Sequence, residues 1–319
     1  MMKNNRQSAG QKITRAVFTL ALAGAFTLPL LGCNEDVPVA EPFDAAPVVT
    51  TREPVETLDA ETKEAVILGG RLYDNWFDVS GVSAPAVDNP MAKFIEGYSA
   101  TAPAAPYTDF IALDGAELEK QKQYRCKTCH GFEYAGSEFV PVGIMDAADN
   151  MTLEEIQSVI KDGFKLSFGN ETATKDVLVH NFGAAGLTEA EIIHLASFIK
   201  YGVVNVEEYF YPFSAKGTAI GKGDSAKGKV LFNVTVGCAS GGCHGATGTA
   251  RDFDDGDPAT LPNEFVGTIG QEDPAEMLHK IRFGQPSEPR NGMPSIYDKE
   301  LTTQDAVDIM TYTQQLPAE

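Results

Sequence analysis

Five cysteines and five histidines hold most of the chemistry open to this chain of 319 residues. Cys126, Cys129 and His130 stand together as Cys-Lys-Thr-Cys-His. Cys238, Cys243 and His244 stand together as Cys-Ala-Ser-Gly-Gly-Cys-His, and Cys33 stands alone near the N-terminus. Three chemistries use such thiol pairs. Two thiols on adjacent turns can add to the two vinyl groups of one haem, while the next residue presents an imidazole to the iron; C-x-x-C-H is the string of that covalent attachment. A C-x-x-C pair can also work as a redox dithiol, and thiolates can hold zinc. A redox pair has no need of the histidine, and tetrahedral zinc needs four well-placed ligands. The first string therefore reads as a haem-attachment site.

The N-terminus says where the chain works. Lys3, Arg6, Lys12 and Arg15 precede an uncharged apolar run from Ala16 to Leu31. That is the basic and apolar layout of a secretory signal. The run ends Leu30-Leu31-Gly32-Cys33, which resembles the lipobox of bacterial lipoproteins, where the cysteine becomes the acylated first residue. The alternative is an uncleaved transmembrane anchor. The span is just long enough to cross a bilayer, but Gly24, Pro29 and Gly32 make it a poor spanning helix. Either way the rest of the chain is exported. In the lipoprotein family an Asp after the cysteine tends to retain the protein in the inner membrane. Asn34 therefore leans towards the outer membrane, with the lipid on Cys33 as the membrane contact. More than one acyl chain makes such an anchor stable.

With Cys33 used in this way, the other four cysteines form two Cys-Cys-His groups. None remains for a structural disulfide, although an exported protein could form one. Zinc through all four would leave the histidine after each pair unexplained. The second string resembles the four-residue variant of the haem site found in some multihaem cytochromes. Gly241 and Gly242 lack a Cβ, which lets the longer loop bulge. Two covalently bound haem c groups are expected, on Cys126 and Cys129 and on Cys238 and Cys243.

The formal net charge is −20, and removal of residues 1–32 takes away four basic residues and no acidic one. Nucleic acid and anionic lipid headgroups both call for basic patches, so neither is an expected partner. Such acidity serves solubility or docking onto a basic redox protein. Length suits two domains. Residues 33–55 read as a tether rich in Pro, Ala and acids, whose 22 residues from Asn34 on span roughly 25 Å as a flexible coil.

After the tether the chain repeats itself. Gly70-Arg71-Leu72-Tyr73 precedes the first haem string, and Gly228-Lys229-Val230-Leu231-Phe232 precedes the second. Downstream of each comes a capped helix. Thr152 and Glu155 form a capping box, while Asp273 caps a helix with Pro274 at its first position. A last helix closes each half: one after Thr188, with Ile192, Ile193, Leu195, Ala196 and Ile199 on a broad apolar face, and one from Thr302 that is stopped by Pro317. The β signal is weak throughout, so the fold class is mainly α.

Three helices around a covalent haem resemble the cytochrome c fold, and the chain from about residue 60 onward resembles a dihaem cytochrome c. The resemblance implies one domain over residues 56–202, a linker over 203–226 and a second domain over 227–319. The glycines would let first and last helices cross closely, and the aromatics would pack beside the haem. The first domain carries an insertion, near residues 78–115, that is too long for an ordinary loop and is expected to wrap the first haem.

The same resemblance supplies the iron ligands. His130 and His244 are the proximal ligands, and the sixth ligand comes from the loop after the middle helix. In the second domain Gly292-Met293-Pro294 resembles the family's methionine string, so Met293 is the candidate; Met277, inside a helix, reads as core. The first domain lacks that string. Repeat spacing puts His180 at the place of Met293, 54 residues beyond Cys126 against 55 beyond Cys238. The alternatives are Met145 and Met151, of which Met145 lies before the middle helix. His194 and His279 read as packing or propionate-contact residues. The first haem is then bis-histidine and the second histidine/methionine.

The implied function is electron transfer between periplasmic or outer-membrane redox partners, without bond-making on a substrate. Two other readings remain: the cytochrome subunit of a larger dehydrogenase, or a dihaem peroxidase-type oxidoreductase. The second would need an open or displaceable iron position.

Overall fold

The computed structural model describes residues 52–83, 85, 124–135, 143–170, 173–211, 219–239, 243–249, 265–285 and 293–318. Among them the fold is mainly helical, as expected, and from Val48 onward the chain forms one compact unit. The α-helices in chain order are α1 (Ala60–Ser80), α2 (Cys126–His130), α3 (Met145–Asn150), α4 (Leu153–Asp162), α5 (Phe182–Ala185), α6 (Glu189–Ser197), α7 (Ser225–Val230), α8 (Val266–Glu272), α9 (Pro274–Phe283) and α10 (Thr303–Thr313). None of these is long and apolar enough to cross a membrane. Cys33, most of the tether and nearly all of the 78–115 insertion lie outside the described residues.

The ends of the helices follow local chemistry. Asp59 opens α1 by accepting the N–H groups of Glu61 and Thr62, and Gly81 closes it in the left-handed region at φ 64°. Thr152 with Glu155, Thr188 with Glu191 and Thr302 with Asp305 make reciprocal capping boxes at α4, α6 and α10. Asp273 accepts from the Glu276 N–H at α9, with Pro274 at the first position. The last helix ends before Gln314, three residues short of Pro317. Asn75 leaves helical geometry inside α1 and kinks it.

Packing repeats between the halves. In the first, α1 crosses α6 and α4 packs on α6; in the second, α7 crosses α10 and α9 packs on α10. Both crossings are glycine contacts. A Cβ on Gly69 would stand 2.0 Å from the His194 carbonyl oxygen, and one on Gly228 would stand 1.9 Å from that of Asp308. The crossing residue in α1 is thus Gly69 and not Gly70, one position earlier than the sequence comparison puts it. Helical phase explains this: Tyr73 lies four residues beyond Gly69, as Phe232 lies four beyond Gly228. Gly70 faces another way, and its Cβ would meet Phe283 of α9 at 2.4 Å.

The halves share one core. Val203, Val206, Phe210 and Ala219, in the stretch expected as a linker, are all buried in it. Two short strands there, Phe210–Tyr211 and Ile220–Gly221, pair antiparallel. Arg52 and Val55, at the end of the expected tether, are docked as well. Val55 is buried, while Arg52 donates to the Asp149 carboxylate at 2.5 Å and to the Val203 carbonyl at 2.9 Å.

One feature departs from the expected loops. Phe164–Asn170 and Ala173–Val179 form an antiparallel hairpin, with Phe164 opposite Val179. It occupies the stretch between the middle helix and His180.

Candidate functional site

The first string is the helix α2, with Cys126, Cys129 and His130 on consecutive turns and Gly131 leaving it at φ 66°. The hairpin returns the chain to His180, directly after Val179. His180 and Asn181 both hold positive φ, 68° and 47°. Two adjacent non-glycine residues in the left-handed region cost of order 1–3 kcal/mol each, so the surrounding packing must impose this turn. Its product is an opposed pair of imidazoles. The rings of His130 and His180 lie 5.9 Å apart between centres, at 35° between planes. Phe164 and Phe182 flank His180 at 5.5 and 6.0 Å.

That pair is suited to a metal between the rings. Two imidazoles that each bind one ion at roughly 2.0–2.1 Å hold their ring centres roughly 6 Å apart. Burial, reinforced by the neighbouring His130 charge, pulls the His180 pKa down to about 4, so its ring is neutral and its nitrogen lone pair is free to ligate. Its Nδ1 is buried with no hydrogen-bond partner. Burial pushes the Cys126 and Cys129 thiols up to about 12 and 11, which keeps them protonated. No disulfide joins the described cysteines, and no group of three or more His, Cys, Asp or Glu side chains among the described residues has the geometry of a metal cage.

Of the two other methionine candidates, Met145 has its sulfur accepting from Arg52 Nη1 at 3.7 Å, while Met151 is partly buried against the core.

Around α2 the chain ties itself down. Tyr73 Oη donates to the Gly131 carbonyl at 2.5 Å, directly beside His130. Lys127, inside the string, turns away from solvent to the buried Asp74 at 2.5 Å and lies 3.9 Å from Glu276 of α9. Its ammonium also sits over the Phe132 ring at 4.9 Å. Burial opposes ionisation of Asp74 most strongly, but the charges of Lys127 and Lys280, His279 and the Lys127 hydrogen bond together keep the carboxyl below its ordinary range.

The described residues of the second string, 238–239 and 243–244, lie in turns. The His244 N–H donates to the Cys238 carbonyl at 2.9 Å, the Ala239 N–H to the Phe232 carbonyl at 3.2 Å, and Gly237 and Gly245 take positive φ. Phe232 lies 6.2 Å from the His244 ring, matching Tyr73 beside the first string. Burial draws His244 down to about 4 and raises Cys238 to about 11. Met293 is partly buried against the core; its carbonyl accepts from the Gln285 N–H at 3.1 Å, closing the mouth of the loop after α9. A Cβ on Gly284 would stand 2.2 Å from that oxygen, so only glycine fits there. Residues 240–242, 250–264 and 286–292 lie outside the described residues.

Between the strings lies a buried seam. His279 of α9 accepts from Tyr134 Oη through Nδ1 at 2.6 Å and donates through Nε2 to the Gly70 carbonyl at 3.0 Å. The carbonyl can only accept, which fixes the tautomer with its proton on Nε2. Tyr73, Phe132, Tyr134, Phe198 and Phe283 surround this ring with centres within 6.0 Å, and burial lowers its pKa to about 3. His279 is therefore a neutral packing residue joining the halves. His194, by contrast, is half-buried and supplies the backbone against which Gly69 crosses. Lys127, Asp74, Tyr134 and Arg282 went unnoticed in the sequence, because buried long-range charge and hydroxyl pairings leave no periodic trace.

No protein family matches the chain, and no curated protein and no solved structure matches it either.

Proposed function

We propose that the chain is an exported, lipid-anchored electron carrier with two covalently attached haem c groups, each in a cytochrome c-like set of three helices. The observation that carries this reading is the opposed His130–His180 pair beside the two buried thiols of α2. It is supported by the second Cys-Cys-His string lying against an aromatic of its own first helix, and by the repeated helix crossings at Gly69 and Gly228.

When bound, haem supplies an iron that takes up and releases one electron. The chain's residues do the rest. Cys126 and Cys129, and Cys238 and Cys243, fix the macrocycles by thioether bonds. His130 and His180 hold the first iron, and His244 and Met293 the second; burial keeps His180 and His244 neutral and able to ligate. With both irons saturated, the protein makes and breaks no substrate bonds. Cys33 carries the lipid at the membrane, and the acidic surface steers a basic redox partner.

Intact mass of the exported protein tests the reading. Two haem additions are expected, with Cys243→Ser losing stable attachment at the second site alone. A chain without haem that carries zinc would overturn it. Spectra in carbon monoxide and peroxide should show little binding to either iron; ready binding would favour the peroxidase-type alternative.

A further inference from the structure

A buried charge stands at the seam without a directly paired carboxylate among the described residues. Arg282, on the last turn of α9, has 0% of its surface exposed. Its Nε donates to Tyr297 Oη at 2.8 Å and its Nη2 to the Gly202 carbonyl at 2.8 Å, while Nη1 has no hydrogen-bond partner. The guanidinium lies over the rings of Phe283 and Tyr297 at 4.6 and 5.9 Å. Tyr297 Oη goes on to Thr303 Oγ1 at 3.0 Å, and Thr303 to Glu56 at 3.3 Å. Through these contacts the Glu56 carboxylate is reached only by way of two hydroxyls.

Taking a guanidinium out of water costs several kcal/mol, and an anion in direct contact is the usual remedy. The planar fork of N–H groups suits a carboxylate edge. The placement is specific too. Ser295 Oγ, two residues past Met293, donates to the Arg282 carbonyl at 2.5 Å, while Gly202 belongs to the end of the first half. The unpartnered Nη1 therefore lies where the first half meets the turn that carries Met293.

We propose that Arg282 anchors a buried carboxylate site at this seam, and that a propionate of a covalently attached haem fills it. The inference rests on the haem reading above. The ion pair holds the propionate ionised and balances its charge beside the iron. The ionisable groups facing the guanidinium are Tyr134, Tyr209 and Tyr297, all held above the ordinary tyrosine range by burial, with His279 on its own helix held at about 3. Asp273, at the far end of the same helix, is raised to about 6 by burial, so a pH dependence between pH 5 and 8 reports the incoming carboxylate only where it arises on substitution of Arg282.

The test uses the haem-loaded full chain and Arg282→Gln, with haem counted by intact mass before titration. A wild type without haem would remove the functional reading itself, independently of Arg282. With two haems present, one wild-type wave should be flat from pH 5 to 8. In Arg282→Gln that wave should fall by about 59 mV or more, a tenfold change in the ratio of reduced to oxidised protein, and should acquire a pH dependence. Arg282→Lys should restore most of the potential, and Tyr297→Phe, which removes one fixed contact of the guanidinium, should shift the wave less in the same direction. These two carry the test if the glutamine variant does not fold. Two haems with waves that overlay the wild type at every pH would assign Arg282 to packing and overturn the proposal. A wild-type wave that follows added acetate would mean a solvent anion fills the site and would overturn the propionate assignment.

Discussion

The two Cys-Cys-His strings sit on equivalent helical frames but are held differently. Each follows a first helix that crosses its last helix through a glycine, and each lies beside an aromatic four residues beyond that glycine. The first is a helix tied by Lys127 to a buried carboxylate and across the seam to α9. The second has two more residues between its cysteines, and its described ends lie in turns held by backbone hydrogen bonds. Opposite the first stands His180 on a strained turn after a hairpin; the loop after the second is closed by Gly284 against the Met293 carbonyl. The frame is therefore repeated while the electrostatics are not. Differences between the two sites should come from charges and ligands and not from helix packing.

Lys127 is where that asymmetry is expected to be largest. Lys127→Met leaves Asp74 buried without its ammonium partner and should cost about 3 kcal/mol or more, because breaking one side of a buried pair strands the other. Lys227→Met is the comparison in the second half. Lys227 is half exposed and pairs with Asp305 and Asp308, but Asp308 keeps the Asp224 N–H at 2.9 Å and Gln304 at 3.0 Å. It should cost no more than about 1 kcal/mol. Urea melts of both variants check the difference, and equal losses would show that the seam pair has no special weight.

The repeated frame makes a smaller and symmetrical prediction. Gly69→Ala and Gly228→Ala each place a Cβ about 2 Å from a carbonyl oxygen and should each cost roughly 1–3 kcal/mol through overpacking. Gly70→Ala should instead loosen α1 from Phe283, across the seam. Matched thermal melts would sharpen the comparison; a large loss at one crossing and none at the other would break it.

Much of the frame could be read before the structure. Capping signals at Thr152, Thr188 and Asp273 mark real helix starts, because a cap is a contact between residues three apart. Repeat spacing singled out His180, and its ring lies 5.9 Å from that of His130. The hairpin was not read, although Phe164, Leu166 and Phe168, then Val177 and Val179, alternate with other residues. Five apolar positions split by a turn give a weak period-2 signal. Gly69 was mistaken for Gly70 because adjacent glycines give no phase by themselves. Arg282 and Asp74 were invisible for a deeper reason. A charged residue in a helix reads as solvent-facing unless its distant partners are known, and here these are Lys127, 53 residues beyond Asp74, and Gly202, 80 residues before Arg282.

The central claim is that the first site is bis-histidine through His130 and His180 and the second histidine/methionine through His244 and Met293. Spectroelectrochemical titration of wild type and His180→Met tests it most directly. Methionine favours ferrous iron relative to histidine, so wild type should show two waves, and the substitution should raise the lower one alone. If the substitution moves neither wave, His180 is not a ligand and the pairing with His130 serves packing only.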